Sequence, residues 1–486
     1  MHHTPKHRHS EKTEIGGHAG HAWLLPVLLV AQLMVILDIT AVNIALPHIA
    51  RDLQLSGASI SWTITSYSLI FGSLLLFGGR AADLLGRRRM FLTGLGVFTV
   101  SSFASALAVS AGTLFAARAG QGLGAAMLSP AALSIITSAF HGSARGKALA
   151  AWGAVGGAGA AIGVLVGGLL TEFADWRSIF YVNLPVAAAL VVAALKVVPA
   201  DAAKPRWRGL DLPGAALATI GLASIVYAIT QAESVGWTSV PTHVFGLGGL
   251  AALTAFAIYE LRIDAPLLRV DRIADRAVGG GLVLMLAAAG SIFGLFLLCS
   301  LYLQNVLGLG ALSTGLAFIP LALSAGIGAH GAGHLVARHG VRGPLAGAFG
   351  VAAGGMLLLS RVGEHGTYLG DVLPGMLVSG LGLGVAVVSV SMAILTGARH
   401  EEAGMLSGLN STGHEIGGTL GIAVFSTIAA GSGVMLGPGA AAGISDAFLV
   451  GAVLATLAGI VAYAVLPHAR HFLPKLHLSP NAMPIH

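Results

Sequence analysis

Charge is what this sequence has least of: Asp, Glu, Lys and Arg make up 9% of its 486 residues, against about 25% in a soluble globular domain. A water-facing surface cannot be built from so few ionised groups, so a soluble fold is excluded. Cysteine is nearly absent too. Cys299 stands by itself in an apolar run, which excludes an intrachain disulfide and leaves a small core side chain. Strict apolar/polar alternation is missing as well, and with it the signature of a transmembrane barrel, whose strands of about ten residues alternate. Six histidines precede Trp23, yet none of them stands at tight metal-ligand spacing, so residues 1–22 read as a solvated cytoplasmic tail and not as a metal site or a signal peptide.

What the chain does have is apolar runs near 23–47, 59–79, 90–109, 112–135, 146–170, 178–197, 211–231, 241–260, 277–303, 313–336, 344–360, 370–395, 404–430 and 446–466. Each approaches the roughly 20 residues a helix needs to cross a hydrocarbon core. The fold class expected is therefore an all-α integral membrane protein with fourteen transmembrane helices. Placing the N-terminus in the cytoplasm leaves Arg51, Arg177 and Arg361 outside and Arg118 within a span, with the rest of the 26 basic residues inside. That asymmetry is the positive-inside pattern. It accounts for the net charge of +6 without nucleic acid, and it places both termini in the cytoplasm of a multi-pass inner-membrane protein.

The stretch from Gly79 to Arg88 recurs loosely as Gly333 to Arg342, with seven residues from glycine to glycine in both. Internal symmetry of this kind fits two six-helix halves around a central site. The expected organisation is a first bundle over 23–197, an extra pair over 211–260, a linker over 261–276, a second bundle over 277–466 and a tail over 467–486. The linker mixes Leu267, Leu268, Val270 and Ile273 with arginines and aspartates, the pattern of an interfacial amphipathic helix.

Four motifs occur in order: Leu37-Asp38-Ile-Thr40-Ala-Val-Asn43-Ile-Ala-Leu46-Pro47, Gly79 to Arg89, Arg118-Ala-Gly-Gln121-Gly122-Leu-Gly124, and Trp176-Arg177-Ser-Ile-Phe180-Tyr-Val-Asn183-Leu-Pro185. Together they resemble the major facilitator superfamily, and within it the fourteen-helix drug:proton antiporters, over nearly the whole chain. The resemblance implies a gating loop at Gly79, Asp83, Gly86, Arg87 and Arg88. In physical terms, Gly79 and Gly86 permit a reversal, and Asp83 can cap a helix or pair with Arg87 or Arg88. Gly159, Gly163 and Gly167, with Gly168, present a flat face for close helix approach. They resemble the family's antiporter motif, except that Val164 stands where that motif has proline.

Asp38, Arg118 and Glu415 are the formally charged side chains deep in the runs, and a charge there is costly enough to mark function. Asp38 lies about 22 Å along a helix rising from Trp23, and Arg118 at a matching depth in a descending one, by the 1.5 Å rise per residue. The two are expected to share a proton-handling network, with a static ion pair as the structural alternative. His414 and Glu415, where the family pattern carries arginine and glutamine, are expected to line the substrate cavity with Asn43 and Gln121, and Glu415 to attract cationic substrate or join in proton coupling, with a hydrogen-bonded structural acid as the alternative. Asp446 reads as a helix cap, and Gln304-Asn305 as a span end.

A nucleotide-driven pump is excluded by the absence of a P-loop: Gly142-Ser-Ala-Arg-Gly-Lys147-Ala148 is two residues short and ends in alanine. Asp264, Asp271 and Asp275 in a basic stretch do not make the metal cluster of a membrane enzyme. The expectation is a monomeric secondary transporter in the lipid bilayer, without cofactor or metal, that exports lipophilic or cationic small molecules against protons. A proton-coupled carrier of one dedicated metabolite or lipid, and more remotely a membrane receptor, stay open.

Overall fold

The computed structural model describes residues 17–466 apart from 56–57, 141, 202–204, 206, 208–209, 264–265, 269, 396–402 and 432–437, and within these it is helical, with no strand. Residues 1–16 and the tail 467–486 lie outside the described residues. The first half comprises α1 (Gly17–Asp52), α2 (Ala58–Leu85), α3 (Arg87–Ala106), α4 (Ala111–Ala139), α5 (Gly142–Phe173) and α6 (Asn183–Val197). Next come α7 (Leu212–Val235) and α8 (Val240–Glu260). The second half comprises α9 (Arg276–Leu301), α10 (Ile319–His339), α11 (Arg342–Leu359), α12 (Leu373–Leu395), α13 (Ala403–Ala430) and α14 (Ala441–Val465).

Every apolar run is helical, but 11 helices among the described residues are long and apolar enough to cross a membrane. The helices α3, α5 and α13 fall outside that set. Helix α3 opens on Arg87-Arg88-Arg89, α13 carries Asn410, His414 and Glu415, and in α5 the apolar segment found among the described residues is Ala161–Phe173.

Proline interrupts some of the runs. The run at 178–197 is split into a turn, Ser178–Tyr181, and α6, because Pro185 has no amide to offer the carbonyl four residues back. The run at 313–336 is likewise broken at Phe318, giving Ala311–Ala317 ahead of α10, whose second residue is Pro320. The expected amphipathic linker shows one short helix, Val270–Ile273. Asp446 lies inside α14 and exposed, so it does not cap that helix.

Small residues let these helices approach. A Cβ on Gly94 of α3 would stand 2.8 Å from the Gly124 carbonyl oxygen of α4, so neither position has room for a side chain. At the end of the bundle holding Asp52, one continuous apolar core crosses both halves, joining Ile44, Val164 and Phe180 to Leu298, Phe318 and Phe425. At the opposite end, which holds Arg87, the core divides: one cluster lies within the first half around Phe91 and Phe98, another within the second around Val336 and Phe349. Helix α7 packs on α8 and also against α2 and α13, beside the long α2–α13 contact between halves.

Candidate functional site

The first cluster forms where α1, α4 and α6 converge. Asp38 and Arg118 are withdrawn from solvent, and the Arg118 Nη1 donates to Asp38 Oδ2. Gln121, one turn along α4, donates from Nε2 to Asp38 Oδ1 at 2.8 Å, and Asn183 Nδ2 donates to the same oxygen at 3.0 Å. Every neighbour thus donates to Asp38, as an acceptor-only carboxylate requires. The orientation of Gln121 is set from its other side, where Oε1 accepts from Arg118 Nη1 at 2.9 Å and from Ser105 Oγ at 3.0 Å.

The break before α6 is part of this arrangement. The Phe180 carbonyl accepts from Ser102 Oγ at 2.9 Å, and Ser102 in turn accepts from Asn183 Nδ2 at 2.9 Å. Arg118 also donates from Nε to the Thr63 carbonyl at 3.2 Å and stacks 4.5 Å from the centre of the Tyr67 ring, while its Nη2 has no hydrogen-bond partner. The depth arithmetic anticipated that Asp38 and Arg118 meet. Asn183, Ser102 and Ser105 carried no assigned role, although Asn183 was visible as an amide inside an apolar run.

A second cluster lies on α13. Glu415 Oε1 stands 3.6 Å from His414 Nδ1, and Oε2 is buried without a partner. The His414 ring meets Phe293 edge to face at 5.6 Å. Gly72 of α2 faces Glu415 so closely that a Cβ there would stand 2.8 Å from the Glu415 Cβ. One turn on, Thr419 donates to Ser68 Oγ of α2 at 2.9 Å, a polar bond between the halves. Glu415 is thus separate from the Asp38 network. Tyr67 lies between the clusters, within electrostatic range of Asp38, Arg118 and Glu415, and its buried hydroxyl has no partner.

The remaining candidates sit elsewhere. Gln121 is enclosed in the Asp38 network and not on an open face. Asn43 donates from Nδ2 to the Ile39 carbonyl of its own helix at 3.2 Å, near the Asp52 end. In the loop expected to gate, Gly86 makes the turn, with φ 111°, whereas Gly79 lies inside α2 in ordinary contact with Pro130. The same asymmetry recurs in the second copy, where Gly340 has φ 73° and Gly333 is helical.

Asp83 accepts from Arg87 Nη2 and from Ser134 Oγ, each at 3.3 Å, and caps nothing. The cap of α3 comes instead from Asp201, whose carboxylate accepts the amides of Arg88 at 3.1 Å and Arg89 at 3.0 Å. The Arg88 side chain donates to the Leu195 carbonyl at 2.8 Å. Gly159, Gly163 and Gly167 face α1, the last leaving only 2.6 Å between a would-be Cβ and Ala41 Cα. Gly168 turns the other way, to the Ala311 carbonyl of the second half. Val164, in place of proline, packs its backbone against Gly315.

Two helical halves, joined at one end and divided at the other, with buried charges between apolar helices, are the architecture of a multi-pass membrane transport protein. The chain matches the Major Facilitator Superfamily over residues 28–422 and belongs to that family. It is 43% identical over 415 residues to the puromycin resistance protein pur8 of Streptomyces alboniger, covering 84% of this chain and 82% of that one. It is 38% identical to the cephamycin export protein CmcT of Amycolatopsis lactamdurans, covering 93% and 94%. Among solved structures, a bacterial homologue of the human lysosomal transporter Spinster, inward-facing and unoccupied, aligns with a TM-score of 0.63 at 16% identity over 95% of this chain and 99% of that one.

Proposed function

We propose that this protein exports small lipophilic or cationic compounds, antibiotics among them, across the cytoplasmic membrane in exchange for protons. In this reading fourteen helices span the bilayer, and both termini and the Arg87 end are cytoplasmic. The divided core at the Arg87 end is then an inward-facing arrangement, closed outward by the core around Phe180 and Phe318. The observation that carries the proposal is Asp38 held by Arg118, Gln121 and Asn183 in an otherwise apolar bundle. In this reading Asp38 carries the exchanged proton and gives up its contact with Arg118 to take it. A rearrangement of α1 against α4 as the halves rock supplies that change.

Glu415, with a free oxygen facing the other half, is the recognition group for cationic substrate or a second proton carrier. Tyr67 stands within electrostatic range of both clusters.

The test is transport in proteoliposomes under an imposed pH gradient. Asp38→Asn should abolish gradient-driven export while leaving substrate binding intact, and full export by that variant would refute the antiport reading. Glu415→Gln should depress export of cations relative to neutral compounds, and an unchanged ratio removes the recognition role.

The second reading, a carrier dedicated to one metabolite, is favoured by the relatives, since pur8 and CmcT are each named for one antibiotic. Protection of an efflux-deficient host against a single compound from a panel of cations, neutrals and anions would select it.

A further inference from the structure

At the Arg87 end, α7 begins and α8 finishes on two acids withdrawn from solvent, Asp211 at 5% and Glu260 at 3% exposure. Asp211 caps α7, its Oδ1 accepting from the Gly214 amide at 2.8 Å. Glu260 uses Oε2 to accept the Leu268 amide of the linker at 2.9 Å. The other two oxygens, Asp211 Oδ2 and Glu260 Oε1, are buried and receive no hydrogen-bond donor. They face the same spot. Both lie over Gly214, where a Cβ would stand 2.6 Å from Glu260 Oε1 and closer still to Asp211 Oδ2, and the two carboxyl groups are in hydrogen-bonding range of each other.

Two ionised carboxylates repel in a low-dielectric site, and a buried oxygen without a donor is itself costly. One proton answers both, because the O–H of either carboxyl then donates to the other. A hard metal ion fits less well, since it takes about six or more oxygens and only these two are free. The groups facing the pair are Tyr259 from α8, whose hydroxyl is in hydrogen-bonding range of Asp211, the Gly214 amide from α7, and the Leu267 and Leu268 amides from the linker, which face Glu260.

We propose that Asp211 and Glu260 form a binding site for one proton, and that the shared proton latches the linker between α8 and α9. The latch has a mechanical consequence because Leu268 points its side chain the other way, into the inner core of the second half with Val278, Val336 and Val341. Glu260 thereby ties the extra helix pair to the second half. Loss of the proton to water at the Arg87 end leaves two negative charges facing each other; the carboxylates part and Glu260 releases the Leu268 amide. This site is separate from Asp38 and does not depend on proton antiport.

The experiment uses the full-length protein in lipid nanodiscs. Infrared spectra at neutral pH should contain a protonated-carboxyl absorption that is lost in both Asp211→Asn and Glu260→Gln. Hydrogen exchange in peptides covering 261–276, corrected for its intrinsic pH dependence, should speed up at least about tenfold as pH rises in the wild type. In Glu260→Gln, whose amide donates permanently to Asp211, exchange should stay slow and flat. Asp211→Asn keeps the capping oxygen and guards against a folding artefact. An absorption that survives both substitutions, a pH profile identical in wild type and Glu260→Gln, or linker exchange that answers to chelator or added calcium and not to pH would each overturn the proposal.

Discussion

Gln304 donates from Nε2 to the main-chain carbonyl of Ile44 at 3.0 Å, across 260 positions of sequence, and fastens the second half to the first at the Asp52 end. The π-helical turn Tyr302–Val306 at the foot of α9 positions it. Gln304 also donates to Ser300 Oγ at 3.0 Å, and Ser300 donates to the Asn43 carbonyl at 3.0 Å, so two consecutive carbonyls of α1 are held by the opposite half. The span end read in sequence, where the span Arg276–Val306 closes, is also a clasp between the halves.

Gln304→Ala should loosen that clasp. A net hydrogen bond contributes about 0.5–1.5 kcal/mol, so losing the Ile44 bond and weakening the Ser300 bond should move the balance toward an open Asp52 end by about tenfold. Spin labels at Val109→Cys and Leu369→Cys, both exposed at this end, in a Cys299→Ala background, should report a larger long-distance population in the variant. An unchanged distance distribution would show that the apolar core closes this end without the clasp.

Arg118→Ala should be among the most damaging substitutions in the first half. Removing one partner of a buried ion pair leaves an uncompensated charge, a loss of about 3–5 kcal/mol, whereas replacing both partners by apolar side chains is often near neutral. The Asp38→Leu/Arg118→Met double variant should therefore melt at a higher temperature than Arg118→Ala in detergent, while transporting nothing. A double variant less stable than the single would mean that the surrounding amides, Gln121 and Asn183, cannot close over apolar side chains.

Sequence disclosed the helices and the Asp38–Arg118 meeting because both rest on one-dimensional quantities: apolar run length, and depth counted along a rising and a descending helix. It did not disclose what depends on a break in a run. Asn183 opens α6 just past the interruption, and from there it reaches both Asp38 and Ser102. Gln121, expected to line the substrate cavity, is instead bonded to Asp38 and Arg118. Asp211 and Glu260, at the ends of runs, resemble solvated caps, and only the folded pair reveals two carboxyls over one glycine. Asp83 was open to capping a helix or to pairing with Arg87 or Arg88, and it pairs with Arg87; the cap of α3 arrives from Asp201, over a hundred positions away.

That last exchange of roles yields a prediction from magnitudes. Asp201 accepts two amides of the first turn of α3 and sits at the positive end of its dipole, and losing such a cap costs about 0.5–2 kcal/mol. The Asp83–Arg87 pair is half exposed, with side-chain exposures of 54% and 41%, and pairs of that kind contribute about 0–1 kcal/mol. Asp201→Ala should therefore lower the melting temperature more than Asp83→Ala, and should raise hydrogen exchange at residues 87–90, which Asp83→Ala leaves protected. The order would reverse only if Asp83 carried a load in another conformation, as a latch between moving halves would. A larger penalty for Asp83→Ala on transport than on stability would locate that load in the transport cycle.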